Sequence, residues 1–518
     1  MFNRAQFLSA NISNLINIAL FGFIILSPTI LFLTMGVPSL YERRAFAEFP
    51  VLSGILEHDP NARNQLTTAL SERSFLRKWS IVASNGIDRF IFGFVDTDQV
   101  VSGLNGVWFY KRSFEIFSCE NQDYITPSLR RLRLTGALLE GANSNILFSL
   151  SPNKATMRFE EVGGRAASYS DCYYETSRRL NISASSLLGH RYINHRDSVE
   201  INSMRFGNSY FDFDTHWENS AAMPVLTDLY TAFDGIRPIE FMDTSLQVRQ
   251  STGGDLAFMT LLPTTEQTYF PNPTDFEAQL QRVGPRDENV IFIHDSFYNR
   301  IHSWLASVFI NSEFYPIATV GGLFNNRSSS DFREFQNKIE NADWVIINLV
   351  ERNFISSVAN GFLSLNSPIG DLIIKQNSQQ ALSECGNDSE HSLLSSVEVR
   401  NATQALSNDY NTHADPQIIA HLQQDPIVNP SANVCISIDL KVTSTDRYQL
   451  FIPVDNERAS EAASFRQYPE EGNVSIRLII PYSELGQYIR LDPTGGIGSN
   501  FIIDRFDVFF APSIDDQD

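Results

Sequence analysis

Positive charge is scarce in this chain. Its 39 Lys and Arg stand against 60 Asp and Glu, so the 518 residues carry a formal net charge of −21, and a field of that sign repels phosphate backbones at long range. Nucleic acid is therefore not an expected partner. Cysteine is scarce as well. The four, Cys119, Cys172, Cys385 and Cys435, include no C-x-x-C pair, which disfavours a zinc ribbon or a thioredoxin-type site. Long apolar runs are nearly missing: Leu15 to Val37 spans 23 residues without an ionisable side chain, and no second such run follows, which excludes a polytopic membrane protein. There is no internal repeat and no low-complexity tract. What is present, 43% hydrophobic and 19% charged residues, is the composition of a folded chain, and the length asks for two or more domains. Aromatics at 12% suit a large packed core or sugar-facing surfaces.

At 1.5 Å per residue a helix over Leu15–Val37 crosses a bilayer core. Asn17, Ser27, Pro28, Thr29 and Thr34 dilute it, which a membrane helix tolerates while its backbone stays hydrogen-bonded. The competing reading is a cleaved signal peptide, whose apolar core is about 7–15 residues and ends at a small-residue cleavage site; this stretch is longer and shows no such site. The expectation is an uncleaved anchor over residues 1–37. Arg4 before it and Arg43 and Arg44 after it leave the positive-inside rule undecided on orientation. An even cysteine count allows two disulfides in a domain outside the cytosol, Cys119 with Cys172 and Cys385 with Cys435, one of three pairings. Four free thiols in a cytosolic domain are the alternative.

After a helix-rich stretch up to Phe94, Val100 to Tyr110 reads as two short strands around Asn105-Gly106, a hairpin signal. Leu129, Leu132, Ala137 and Leu138 have a helical period, and Asn145 to Leu150 reads as a buried strand. Further on, Val290-Ile291-Phe292-Ile293 is a continuous apolar run, as in a strand covered on both faces. Ile301, Trp304, Leu305, Val308 and Phe309 then mark one face of a helix. Phe314 to Val320 reads as another strand, Phe332, Phe335 and Ile339 as another helix, and Trp344 to Val350 as another buried strand. This alternation predicts an α/β fold with a parallel sheet and right-handed crossovers, whose ligands sit beyond the carboxyl ends of the strands. Residues 376–417 turn polar and read as a linker. Beyond them Val434–Val442, Arg447–Pro453, Val474–Ile480, Tyr488–Asp492 and Phe501–Phe510 read as strands of a small β-sandwich over 418–518.

Reactive side chains concentrate in Tyr210 to Trp217 (YFDFDTHW) and in His294-Asp295-Ser296-Phe297. A serine becomes a nucleophile when a histidine takes its proton, and a carboxylate fixes the tautomer of that histidine. Ser296, His216 and Asp214 supply that set. Ser296 follows a buried strand and opens a helix, which exposes its hydroxyl where backbone N–H groups can face an oxyanion. Each signal has an ordinary counterpart: Asp-Ser at a helix start is often only an N-cap, a lone histidine is often structural, and Asp212 reads as a solvated neighbour. A dinuclear metal site built from Asp212, Asp214, His216, His294 and Asp295 is the other chemical reading. It wants further ligands, and His190 and His195 stand isolated.

These residues match a known pattern. The chain resembles the alginate O-acetyltransferase family of periplasmic, SGNH-hydrolase-like proteins through six short blocks in order over residues 41 to 355. They are Tyr41-Glu42-Arg43-Arg44-Ala45-Phe46-Ala47-Glu48-Phe49-Pro50, Gly106-Val107-Trp108-Phe109-Tyr110, Ser151-Pro152-Asn153-Lys154, Asp214-Thr215-His216-Trp217, Asp295-Ser296-Phe297 and Val350-Glu351-Arg352-Asn353. The resemblance implies an SGNH-like acetyltransferase domain over 38–375, with Ser296 as nucleophile, His216 as general base and acid, and Asp214 as its orienting partner. It implies a polysaccharide acceptor, an acetyl donor in a membrane-bound O-acyltransferase partner, a periplasmic domain tethered to the inner membrane, and no cofactor or metal. The family's Gly before Asp-Ser is His294 here, and the block after His216-Trp217 is Glu218-Asn219-Ser220-Ala221, so the oxyanion donors are open beyond the Ser296 N–H. Glu351 and Arg352 are expected to form an internal ion pair supporting the site. A carbohydrate acetyl esterase and a non-catalytic scaffold of a polysaccharide assembly are the alternative functions, and the carboxy-terminal sandwich is expected either to bind carbohydrate or to be purely structural.

Overall fold

The computed structural model describes residues 47–511, except parts of 52–58, residues 73–74, 208, 235–242, 325–328, 355–367, 386–391, 407–408, 424–431, 443–447, 453–463, 468–472 and 494–499. The apolar run Leu15–Val37 and most of the Tyr41–Pro50 block lie outside the described residues. Among the described residues no helix is long and apolar enough to cross a membrane.

The central sheet has five parallel strands: β1 (Asn145–Ser151), β2 (Tyr192–Asn194), β5 (Arg286–His294), β6 (Phe309–Pro316) and β7 (Trp344–Val350), in the order β2-β1-β7-β5-β6. Between β2 and β5 in sequence lies a separate antiparallel pair, β3 (Leu246–Thr252) and β4 (Thr265–Pro271). Side chains on a strand alternate between its faces, and the apolar residues of β1, β5 and β7 divide accordingly. Ile146, Phe148, Leu150, Ile291, Ile293, Val345, Ile347 and Leu349 enter one core with the helix Ile125–Gly141. Leu147, Val290, Phe292, Ile346 and Val350 enter the other with the helix Ala222–Asp234. Coverage on both faces explains the unbroken apolar runs.

The Asn105-Gly106 hairpin forms as expected, pairing Val100–Ser102 with Trp108–Tyr110, and both turn residues have positive φ, 56° and 79°. The expected strand Phe314–Val320 is instead the end of β6 followed by a helix from Ile317 to Phe324; its apolar residues Ile317 and Val320 fit helical spacing as well as a strand run. Both disulfides form, Cys119–Cys172 and Cys385–Cys435.

The expected linker over 376–417 is not one. A helix runs from Pro368 to Glu384, and β8 (Leu394–Leu406) and β9 (Asp409–Leu422) form a long antiparallel pair. Two of the polar side chains that suggested a linker, Gln376 and Asn377, are buried and carry hydrogen bonds between layers, while others such as Gln379, Ser383, Ser395 and Glu398 are exposed on the helix and on β8. Asn377, fully buried, donates to the carbonyls of Leu138 and Ile479, both at 2.6 Å, and accepts from the Ile479 N–H at 2.9 Å. Gln376 donates to Ser144 Oγ at 3.0 Å.

Along its other edge β9 is shared, and the sheet forks. Asp409–Asn411 pair with β15 (Asn500–Phe510), while Ile418–His421 pair with β14 (Tyr488–Asp492). One branch continues through β10 (Asn433–Val442) to β13 (Asn473–Pro481), the other through β11 (Tyr448–Phe451) to β12 (Ser464–Gln467). Ile436, Ile438, Ile476 and Leu478 of the first branch meet Ile418, Leu450, Ile489 and Leu491 of the second in the same apolar cluster. This is the geometry of a sandwich. All five strands expected there form, joined by β8, β9 and β12.

Candidate active site

The serine comes from the end of β5. That strand is buried from Val290 to His294, and Asp295 turns the chain. One carboxylate oxygen accepts from the Phe297 N–H at 2.9 Å, capping the short helix Ser296–Asn299; the other accepts from the Val350 N–H at 2.7 Å, at the end of the neighbouring β7. The N-cap role foreseen for the Asp-Ser pair is thus real, and it belongs to Asp295. Ser296 is left exposed while Phe297 beside it is fully buried.

The histidine comes from a loop closed at its base by an antiparallel bridge between Tyr210 and Trp217. The indole N–H of Trp217 donates to the carbonyl of Phe297 at 3.1 Å, locking this loop to the serine helix. From below, Lys154 Nζ donates to the carbonyls of Asp212 and Asp214, at 2.6 and 3.1 Å. That ammonium is fully enclosed, and burial together with the nearby Arg158 charge lowers its pKa to about 7. Asp212, half exposed, is ion-paired with Arg158 at 2.5 Å.

The three expected side chains meet. His216 Nε2 lies 2.7 Å from Ser296 Oγ, and His216 Nδ1 lies 2.5 Å from Asp214 Oδ1, which also accepts from the His216 backbone N–H at 3.0 Å. Because a carboxylate only accepts, Nδ1 carries the proton and Nε2 presents its lone pair to the serine hydroxyl. The second oxygen of Asp214 accepts from Arg300 at 2.7 Å and from the Asp255 N–H at 3.3 Å. Burial would raise the Asp214 carboxyl, but the His216 hydrogen bond and the charge of Arg300 outweigh it and hold the group well below the ordinary carboxylate range. Asp255 moves the other way, raised by burial and by the charge of Asp214. Its carboxylate accepts from the N–H and the hydroxyl of Thr215.

Arg300, Asp255 and Lys154 are the parts of the site that the spacing of residues did not assign. Arg300 stands four residues beyond Ser296 on helical backbone, and Asp255 follows the Gly253-Gly254 pair; those are the signals each offers. Gly254 has φ +134°, and a Cβ there would run into the carbonyl of Phe213 and come within 3.2 Å of Asp214 Cβ. Two further buried carboxyls brace the loop. Glu218 accepts from the Tyr269 N–H at 2.7 Å and Glu266 from the Asp212 N–H, and burial pushes each up to about 7.

The five-residue metal set does not assemble. Asp212 is held by Arg158, the carboxylate of Asp295 is spent on two backbone amides, and His294 Nδ1 donates to the Asp295 carbonyl at 2.8 Å. Asp214, His216 and Asp255 do cluster, but the hydrogen bonds above already occupy their facing atoms. His195 is not isolated: it sits fully buried between Asp228 at 2.9 Å and Ser149 at 2.8 Å, beneath Tyr298. In that second Ser-His-Asp set the serine and histidine are fully buried and only Asp228 is partly exposed, so it serves the core. Glu351 and Arg352 meet on Asn153, the first accepting from its N–H at 2.9 Å, the second donating to its Oδ1 at 3.0 Å.

No protein-family model and no curated protein matches the chain. Among solved structures it is similar to the O-acetyltransferase domain of Pseudomonas putida AlgJ, at 17% identity over 53% of this chain and 98% of that one, with a TM-score of 0.37. It is similar to Pseudomonas aeruginosa AlgX at 11% identity over 80% and 94%, with a TM-score of 0.33. It is also similar to Bacillus cereus PatB1 at 13% identity over 46% and 92%, with a TM-score of 0.31.

Proposed function

We propose that the chain is a polysaccharide O-acetyltransferase working through an acetyl-serine intermediate. The observation that carries this reading is the contact of 2.7 Å between His216 Nε2 and an exposed Ser296 hydroxyl, with Asp214 behind the ring. Ser296 Oγ attacks the acetyl carbonyl of a donor as its proton passes to His216 Nε2. The imidazolium then protonates the departing group, leaving acetyl-Ser296. An acceptor hydroxyl, losing its proton to the same nitrogen, attacks the acyl-enzyme, and Ser296 departs with that proton. The Ser296 N–H at the helix start is the natural first donor to the oxyanion.

The six sequence blocks favour a glycan as acceptor over water, and a membrane-bound O-acyltransferase as the source of acetyl groups. An anchor at Leu15–Val37 would hold the domain beside that partner on the periplasmic side of the inner membrane, where the two disulfides are stable. The carboxy-terminal sandwich would keep polymer near the serine. The test supplies purified protein with a small acetyl ester, with and without glycan oligosaccharides. Acetylated glycan that disappears in Ser296→Ala is expected; ester hydrolysis indifferent to glycan would mean an esterase, and transfer that survives Ser296→Ala would rule out the acyl-serine.

A further inference from the structure

Beside Asp214 a cleft of about 180 Å³ opens between the Tyr210–Trp217 loop and the β3–β4 hairpin, room for about one sugar ring. Ser296 and His216 do not line it, but Asp214 and Arg300 do. Arg300 lies one helical turn beyond Ser296, and Asp214 is the residue that joins the cleft to His216. One wall is the ring of Phe258, on the helix Asp255–Thr260, which remains 47% exposed; an exposed aromatic face in a polar cleft is a surface for the C–H face of a sugar. Facing groups are polar. Glu266 pairs with Ser251 across the hairpin. Its Oε2 accepts from the Asp212 N–H, and the residue lines the cleft. Arg300, 39% exposed, commits one nitrogen to Asp214 and has further N–H groups to donate.

We propose that this cleft is the acceptor subsite and that it takes a neutral hexose unit rather than a uronate. The proposal rests on the acyl-transfer reading and specifies its substrate. Of the charged side chains lining the cleft, Asp214, Asp255 and Glu266 are acidic and Arg300 alone is basic, already paired with Asp214. A uronate would bring a further negative charge into a site whose resident carboxyls already disfavour ionisation, Asp255 through burial and the charge of Asp214, Glu266 chiefly through burial. A neutral ring offers the same hydroxyls without that repulsion.

Binding is measured on the full-length Ser296→Ala protein by titration calorimetry, using gluco-, manno- and galacto-oligosaccharides against an oligouronate of equal length. At least one neutral series is expected to bind about tenfold or more tighter than the oligouronate. Phe258→Ala and Glu266→Gln should each weaken that binding by about fivefold or more. Equal or tighter binding of the oligouronate, no binding of any neutral series, or binding that neither substitution moves would overturn the proposal. If Glu266→Gln does not fold, Phe258→Ala decides alone, since its ring is exposed. Because binding is read without the serine, a failure of acetyl transfer and a failure of this subsite are separate results.

Discussion

Replacing Asp214 with asparagine swaps one acceptor oxygen for an amide, and the surroundings decide which way that amide faces. In the native site four donors converge on the carboxylate: His216 Nδ1 and the His216 N–H on one oxygen, Arg300 and the Asp255 N–H on the other. The hydrogen bond to the charged Arg300 outranks the one to a neutral imidazole, by about 1.5 kcal/mol after allowing for its exposure. The asparagine carbonyl therefore turns to Arg300 and its NH₂ turns to His216. Nδ1 must then accept, the ring proton moves to Nε2, and the serine hydroxyl faces a donor. A wrong tautomer in such a relay lowers turnover by about 10⁴-fold, with little change in KM for a small acetyl ester. The same logic predicts a rescue. In Asp214→Asn/Arg300→Met the bias is gone, the amide can turn its oxygen to His216, and activity should recover about tenfold over Asp214→Asn. Single-turnover acetylation of Ser296, followed by intact-protein mass, is the assay. An Asp214→Asn enzyme within tenfold of wild type, or an Arg300→Met change that lowers its activity further, would refute the reasoning.

Three other outcomes are expected. Glu218 titrates near 7 in the folded protein against an ordinary value of 4.5, so the native state holds the extra proton between those values and stability falls as pH rises through that window. Glu218→Gln should flatten the fall and be more stable than wild type at pH 8, by about 2 kcal/mol, read from urea unfolding between pH 4 and 8; an unchanged slope counts against it. Gly254→Ala should lose most acetylation while keeping the fold, because its Cβ would displace the Phe213 carbonyl and Asp214; circular dichroism and activity measured on one sample separate the two effects. Cys385→Ser with Cys435→Ser opens a loop of sequence separation 50, costing about 4 kcal/mol by chain entropy. The denaturation midpoint should drop below that of the oxidised wild type but stay above that of the reduced wild type, which also loses Cys119–Cys172, and a midpoint that does not move would show the bridge to be dispensable.

The strands and the three facing side chains were legible because each has a local cause. A strand covered on both faces must be an apolar run, as Val290–Ile293 and Trp344–Val350 are; Asp-x-His sets two groups on one short loop; and a serine after a buried strand has to surface. Arg300, Asp255 and Glu266 were not legible, since each acquires its role from a partner 41 to 86 residues distant or from a hairpin folded over the loop. The segment around Asn377 misled for the opposite reason. Gln376 and Asn377 are buried hydrogen-bonding groups and most of the other described polar residues lie on the outer faces of a helix and strand, and composition alone does not distinguish either from a solvated linker.

Gly141, beside the Asn377 hydrogen bonds that tie Leu138 to Ile479, has a practical side. With no side chain there, the Ile479 carbonyl of the second lobe presses directly on the end of the Ile125–Gly141 helix, and Arg133 and Arg191 grip Glu484 nearby. The two lobes are therefore welded instead of strung together. Cutting the gene between them would expose the end of the Ile125–Gly141 helix and leave Arg133 and Arg191 without Glu484, and a shortened protein made for crystallisation or engineering should keep both halves.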